Sequence, residues 1–160
     1  MTRRSLDAAT RLALIAEAVQ YCQRVAALGM PSSCYAKALR EPVYFLWEAW
    51  GRSKADAAQF RSRAALGLRH GAGKLAYDHA VPFALLQAEL LALSPATPEA
   101  VERVLREHGT RVLITRSEHD RLAALGLAHR MPADWDGADP LARYKAAGID
   151  LVPTTPAEHR

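Results

Sequence analysis

At 160 residues, half of them apolar and 24% charged, the chain is sized for one globular domain with a substantial core, and its composition is that of an ordinary globular protein rather than a disordered one. Cys22 and Cys34 make no disulfide framework and no metal-ligand quartet and read as small core hydrophobes. No apolar run approaches the roughly 20 residues of a bilayer span, so the expectation is a cytoplasmic protein without a membrane partner. The net charge of +4 is unevenly spread: residues 1–74 hold twelve Lys or Arg against five Asp or Glu, and residues 75–160 nine against twelve. The first half thus has the basic surplus that suits phosphate-bearing partners, or simply a solvated arginine-rich face.

From the amino terminus, Leu12, Ile15, Val19, Cys22 and Ala26 recur at steps of three and four and predict an amphipathic helix that stops near Gly29. The stretch PSSCYAKALR predicts a second helix capped by serine. Pro42 is expected to start a third, with Val43, Leu46, Trp47 and Trp50 on its core face. Gly51 ends it, and SKADAAQFRSRAALG reads as a fourth helix from Ser53 to Gly67. The glycines of LRHGAGKLAY mark the one clear internal boundary. They divide a basic helical part, residues 1–67, from an α+β part, residues 74–160, within what is expected to be one compact domain.

Past that boundary, Leu75 to Tyr77 predicts a short strand. Pro82 opens a helix with Phe83, Leu86, Leu90 and Leu93 on one face, and Thr97 with Pro98 caps the next. RVLIT predicts a strand, and Thr115 with Glu118 matches a capping box for the helix that follows. The tail adds a loop around Trp135, a short helix from Pro140 and a last strand at Ile149 to Val152. The expected fold class is α+β and helix-rich: a helical amino-terminal part packed on a smaller part with two or three short strands.

Two places put an acid directly beside a histidine, Asp78-His79 and Glu118-His119, and both fall at predicted strand-to-helix junctions where backbone N–H groups are unpaired. An imidazole near neutrality can take a proton from water, and carboxylates are hard oxygen ligands for Mg²⁺ or Mn²⁺; together they are the parts of metal-assisted phosphodiester hydrolysis. Neighbours on a strand point to opposite faces, so Asp78 and His79 meet at one site only if the strand ends or bulges there. An acid from elsewhere, such as Glu48 or Asp56, would serve as a further ligand. Glu118 already has a structural role in the capping box, and Asp78 can equally favour the positive end of the helix beginning at Pro82. His119, three residues before Leu122, sits on or beside a buried face; His108 lies where a cation suits a helix C-terminus.

The segment YDHAVP resembles the first motif of the His-Me finger nucleases, commonly called HNH endonucleases, in which an acid-histidine pair is followed shortly by proline. The resemblance covers roughly residues 75–125. It implies His79 as the general base that activates water, Asp78 as a metal ligand and His119 on the later helix as the second ligand, with Mg²⁺ or Mn²⁺ as cofactor. The family's middle asparagine has no counterpart, since the chain contains no asparagine, and two predicted helices separate His79 from His119.

Cations around the predicted fourth helix, Arg52, Lys54, Arg61 and Arg63, are the expected nucleic-acid contacts, with Lys54 and Arg61 seven apart on one face. Phe60 and Trp50 read as core rather than as stacking platforms, and Arg143 and Tyr144 can either close a site or pack. The leading expectation is a nucleic-acid-directed protein, DNA ahead of RNA, acting as a small metal-dependent endonuclease. The runner-up is a non-catalytic module that binds nucleic acid or a protein partner, or a second copy of the chain. An enzyme acting on a small molecule ranks third, for want of a glycine-rich phosphate loop or a nucleophile motif.

Overall fold

The computed structural model describes residues 6–69 and 73–154. His70 and His159, which the sequence leaves without a role, lie outside them. A long helix, α1 (Ala8–Ala27), starts at Asp7, whose carboxylate accepts the Thr10 N–H at 2.7 Å. It ends where Gly29, at φ 91°, turns the chain into a second helix, α2 (Ser32–Val43). The structure differs here from the expected pair of helices. Pro42 sits inside α2, and the helix runs on into a widened turn, Tyr44–Glu48, closed by the Ala49 N–H on the Tyr44 carbonyl. Proline has no N–H for the bond back to residue 38, but its fixed φ is helical, so near a helix end the chain relaxes into a wider turn instead of stopping.

The predicted fourth helix is the largest departure. Only one turn, α3 (Lys54–Ala57), is helical; Phe60–Ser62 is a strand, β1, followed by a tight turn over Arg63–Ala65. The alanine-rich sequence favours helix locally, but Phe60 and Arg61 pair parallel with Val112 and Leu113, and Phe60 to Ser62 pair antiparallel with Leu151 to Pro153. Tertiary pairing overrides propensity. The remaining elements follow the expected order: β2 (Leu75–His79), α4 (Phe83–Leu91), α5 (Pro98–His108), β3 (Arg111–Thr115), α6 (Arg116–Ala124), α7 (Ala142–Ala146) and β4 (Leu151–Pro153). Thr97 caps α5 on the Ala100 N–H, and Thr115 with Glu118 forms the capping box of α6.

The fold is α+β, and among the described residues four strands run in the order β2-β3-β1-β4; β2 and β3 are antiparallel, β3 and β1 parallel, β1 and β4 antiparallel. The helical core is built from α1, α2, α4 and α5 around Ile15, Val19, Leu39, Leu86, Leu90 and Leu105. A second cluster packs one sheet face, with Val112 and Ile114, against Leu122 of α6 and Tyr144 of α7; Leu113 faces the other way with Leu75. The expected boundary at residues 67–74 does not separate two cores. α1 and α2 share theirs with α4 and α5, and β1 lies between two strands of the later part. Cys22 is buried as expected, whereas Cys34 is exposed, because it falls on the solvent side of the first turn of α2.

His108 fastens the loop before α7. Its Nδ1 meets Glu89 of α4 at 2.7 Å, its Nε2 meets the Gly137 carbonyl at 2.8 Å, and its ring lies 5.6 Å from that of Trp135. Burial alone pushes this imidazole down, but the Glu89 hydrogen bond, the Gly137 carbonyl and the charges of Glu89 and Glu107 outweigh it, so its pKa rises above the ordinary 6.5. With the folded value above the unfolded one, the charged ring contributes stability in full below about pH 6.5 and loses it as the pH rises through the raised value. His108→Gln should flatten the pH dependence of stability across that window, as followed by urea denaturation at a series of pH values. Leu113→Ala, which empties a site buried on both sides of the central strand, should cost about 2–5 kcal/mol in the same measurement.

Candidate functional site

Along β2 the side chains alternate. Leu75, Tyr77 and His79 face the helical layer, and Ala76 and Asp78 face α6 and α7. The strand stays paired through His79, opposite Arg111, so no bulge brings the two polar neighbours together. The expected convergence of Asp78 and His79 is therefore corrected: their polar ends are aimed apart.

His79 points at Glu48. The widened turn after α2 carries Glu48 inward, where it is only 2% exposed, and His79 Nε2 lies 2.6 Å from its Oε1 while the Tyr77 hydroxyl donates to its Oε2 at 3.1 Å. Burial first, and then the charge of Glu48, push the Tyr77 phenol far up, so it remains a hydrogen-bond donor. A carboxylate held this way orients the imidazole through Nε2 and leaves Nδ1 as the ring nitrogen without a carboxylate partner. His79 Nδ1 has no hydrogen-bond partner among the described residues, and the side chain as a whole is 13% exposed.

The dyad lies in a cleft of about 300 Å³ between α2, the widened turn, α3 and β2. Three cations line it, Lys37 and Arg40 from α2 and Lys54 from α3, together with a second carboxylate, Glu41 of α2. Tyr44 and Tyr77 line the same space, and Phe83 stands against His79 beside it. Lys54 Nζ stands 5.7 Å from the Tyr44 ring and 6.0 Å from the Tyr77 ring, and Arg40 Cζ is 5.8 Å from the Phe83 ring. Tyr44, Tyr77, His79 and Phe83 form a chain of edge contacts with centroids 6.4, 6.0 and 5.6 Å apart, and exposed Phe45 extends it by a ring at 4.9 Å from Tyr44.

Of the four cations the sequence singles out, Lys54 alone lines this cleft. Arg52 is exposed in the turn before α3, Arg61 is half-buried on β1 with its guanidinium toward the Leu68 carbonyl, and Arg63 is paired at the surface with Asp150. Because β1 is a strand, Lys54 and Arg61 do not share a helix face. Lys37 and Arg40 escaped sequence reasoning, although their spacing of three on a helix puts them on one face; what was missing was the knowledge that this face borders His79.

Asp78 serves the opposite side of the sheet. Its Oδ2 accepts from Arg143 Nη2 and from the Tyr144 hydroxyl, both at 2.7 Å. Arg143 is fully buried and uses all five of its N–H groups: the others go to the carbonyls of His79, Ala80, Leu127 and Ala128. Burial and then the Asp78 charge push the Tyr144 phenol up, which keeps its proton in place for this bond. Arg143 and Tyr144 thus pack and pin α7 to the end of β2.

A wider recess of about 590 Å³ adjoins the cleft and is bordered by Asp78, His79, Phe83, His119 and His129. His119 on α6 thus borders the same recess as Asp78 and His79, whose polar ends hold different partners. The donor set does not make a preformed site for Mg²⁺ or Mn²⁺: Asp78 Oδ2 already holds Arg143 and Tyr144, and among the described residues no group of three or more His, Cys, Asp or Glu is placed to hold a metal ion. Asp56 instead caps α3 with Ser53, and Glu118 is buried between Thr115 and Ser62.

Removing one partner of a buried, fully bonded charge strands the other. Arg143→Met should therefore cost about 3–5 kcal/mol in denaturant titration, with the loss centred on α7 and the end of β2 by amide exchange. Compared with family models, curated proteins and solved structures, the chain finds no match.

Proposed function

We propose that the cleft holds the phosphate backbone of a nucleic acid and that His79, oriented by Glu48, accepts a proton there in phosphodiester cleavage. The observation that carries this reading is the 2.6 Å Glu48–His79 contact at the wall of a cleft lined by Lys37, Arg40 and Lys54. A buried carboxylate behind an imidazole orients it and offsets the charge it acquires as a base. Cations around the same cleft would bind the non-bridging phosphate oxygens and offset the charge that builds on them in the transition state. His119 and the neighbouring recess extend the surface along which a strand would lie. The reading assigns no step to a metal ion.

A second reading, a phosphate-binding module without catalysis, is favoured by one fact: the acid next to His79 in the sequence spends its carboxylate on Arg143 and Tyr144.

Plasmid DNA, single-stranded DNA and RNA, each incubated in Mg²⁺, in Mn²⁺ or in chelator, separate the two. Cleavage should fall about 10²–10⁴-fold in His79→Ala, the contribution typical of a general base, while binding measured by fluorescence anisotropy changes little. Lys37→Ala and Arg40→Ala should weaken binding and flatten its salt dependence, each by about one phosphate contact. Binding that follows this pattern with no cleavage of any substrate would leave the module.

A further inference from the structure

Resting on the reading of His79 as a base, we infer that the substrate is single-stranded RNA and that the nucleophile is the RNA's own 2′-hydroxyl, so that the cleft performs transesterification rather than hydrolysis.

Three features of the cleft carry this. The base is a single nitrogen. Nε2 is held by Glu48, Glu48 has its two oxygens on His79 and Tyr77, and Asp78 has turned to Arg143 and Tyr144 on the other face of the sheet. Glu48 and Asp78 thus have protein partners already, and what remains in the cleft is the free nitrogen of an imidazole that lines it and the Glu41 carboxylate, among three cations. A nucleophile whose position is fixed by its own covalent tether asks least of such a site, because tethering supplies effective molarities of about 10⁵–10⁸ M that an enzyme must otherwise create by positioning a water. The 2′-hydroxyl, on the carbon next to the one that carries the 3′-phosphate ester, is tethered in this way.

The walls fit an unpaired nucleotide. Cations stand over ring faces, Lys54 over Tyr44 and Tyr77 and Arg40 over Phe83, so phosphate and base partners alternate within a few ångströms. Alternating cations and aromatic rings are how proteins hold single strands, whose bases are free to leave the stack. The third feature is depth: the imidazole is recessed, its side chain 13% exposed, in a cleft of about 300 Å³, a volume on the scale of one nucleotide.

The chemistry balances without a co-reactant. His79 Nδ1 takes the 2′-hydroxyl proton, O2′ bonds to phosphorus, the P–O5′ bond breaks, and the departing O5′ takes a proton from solvent while the imidazolium returns its own to solvent. The products are a 2′,3′-cyclic phosphate and a 5′-hydroxyl end. Lys37, Arg40 and Lys54 offset the charge that builds on the non-bridging oxygens.

The test uses the full chain with a short single-stranded RNA, the DNA of the same sequence, the RNA annealed to its complement, and the RNA carrying 2′-O-methyl groups throughout, all with chelator present and again with Mg²⁺. Mass spectrometry of the ends gives the chemistry, and anisotropy gives binding. The expected result is cleavage of the single-stranded RNA to cyclic-phosphate and 5′-hydroxyl ends in chelator. The DNA and the 2′-O-methyl RNA should be bound within a few-fold as tightly but left whole, and the duplex should be cut at least about tenfold more slowly. His79→Gln, which keeps a donor for Glu48 and so guards the fold, should lose the activity and retain binding. Cleavage of RNA or DNA to 5′-phosphate and 3′-hydroxyl ends would overturn the inference and leave the general reading of the cleft standing. Binding to all four probes with no cleavage of any would overturn both the inference and the catalytic reading, leaving a binding module.

Discussion

A strand that is paired to its end has no freedom to aim consecutive side chains at one point, and β2 is such a strand. Pairing with β3 runs through the last residue, His79 opposite Arg111, so the two-residue period of the pleat holds where a catalytic acid-histidine pair would need it broken. One consequence is the cleft, which receives His79 from β2 and a carboxylate from a different element altogether. The other is the Arg143 network, which receives Asp78. The two polar ends of β2 thus anchor two layers: the imidazole ties the sheet to the α2 side through Glu48, and the carboxylate ties it to α7 through Arg143 and Tyr144.

Both ties put an ionisable group where water is scarce, and the structure answers the desolvation cost in different ways. Arg143 is saturated by five acceptors, four of them backbone carbonyls, so its charge is met by dipoles and by a single carboxylate. That arrangement is rigid and closed. Glu48 has two partners, of which one is a phenol that cannot readily ionise and the other an imidazole that lines the cleft and whose second nitrogen has no partner among the described residues. That arrangement is open on one side, and a proton arriving at the imidazole would be met by a charge already in place. A closed network suits structure; an open one suits exchange with a bound molecule.

Much of the fold was legible in the sequence because its signals were local. Thr97-Pro98, the Thr115 and Glu118 box, and the spacing of Leu12, Ile15, Val19 and Cys22 each encode their element within one or two turns, and RVLIT is too short and too uniformly apolar for a surface helix. What failed was non-local. Phe60 to Ser62 carry no strand signal of their own, and their extended shape comes from β3 and β4, both far along the chain. Pro42 has the usual signature of a helix start and lies instead near a helix end. The candidate site divides the same way: His79 stood out beside its acid, and Glu48 was foreseen only as an acid that would serve. Lys37 and Arg40 became visible when packing set α2 against β2.

The wide turn over Tyr44–Glu48 gives this arrangement an unusual kind of fragility. In an α-helix each residue advances the side-chain direction by about 100°, whereas a turn closed over five residues spends one more residue per revolution. Glu48 reaches the interior by virtue of that extra step, so its bearing is set by a residue count as well as by its identity. Shortening the segment by one position, with no change in chemistry, would swing the carboxylate toward a different neighbour. Related chains that keep the acid should therefore keep the count from the proline to it.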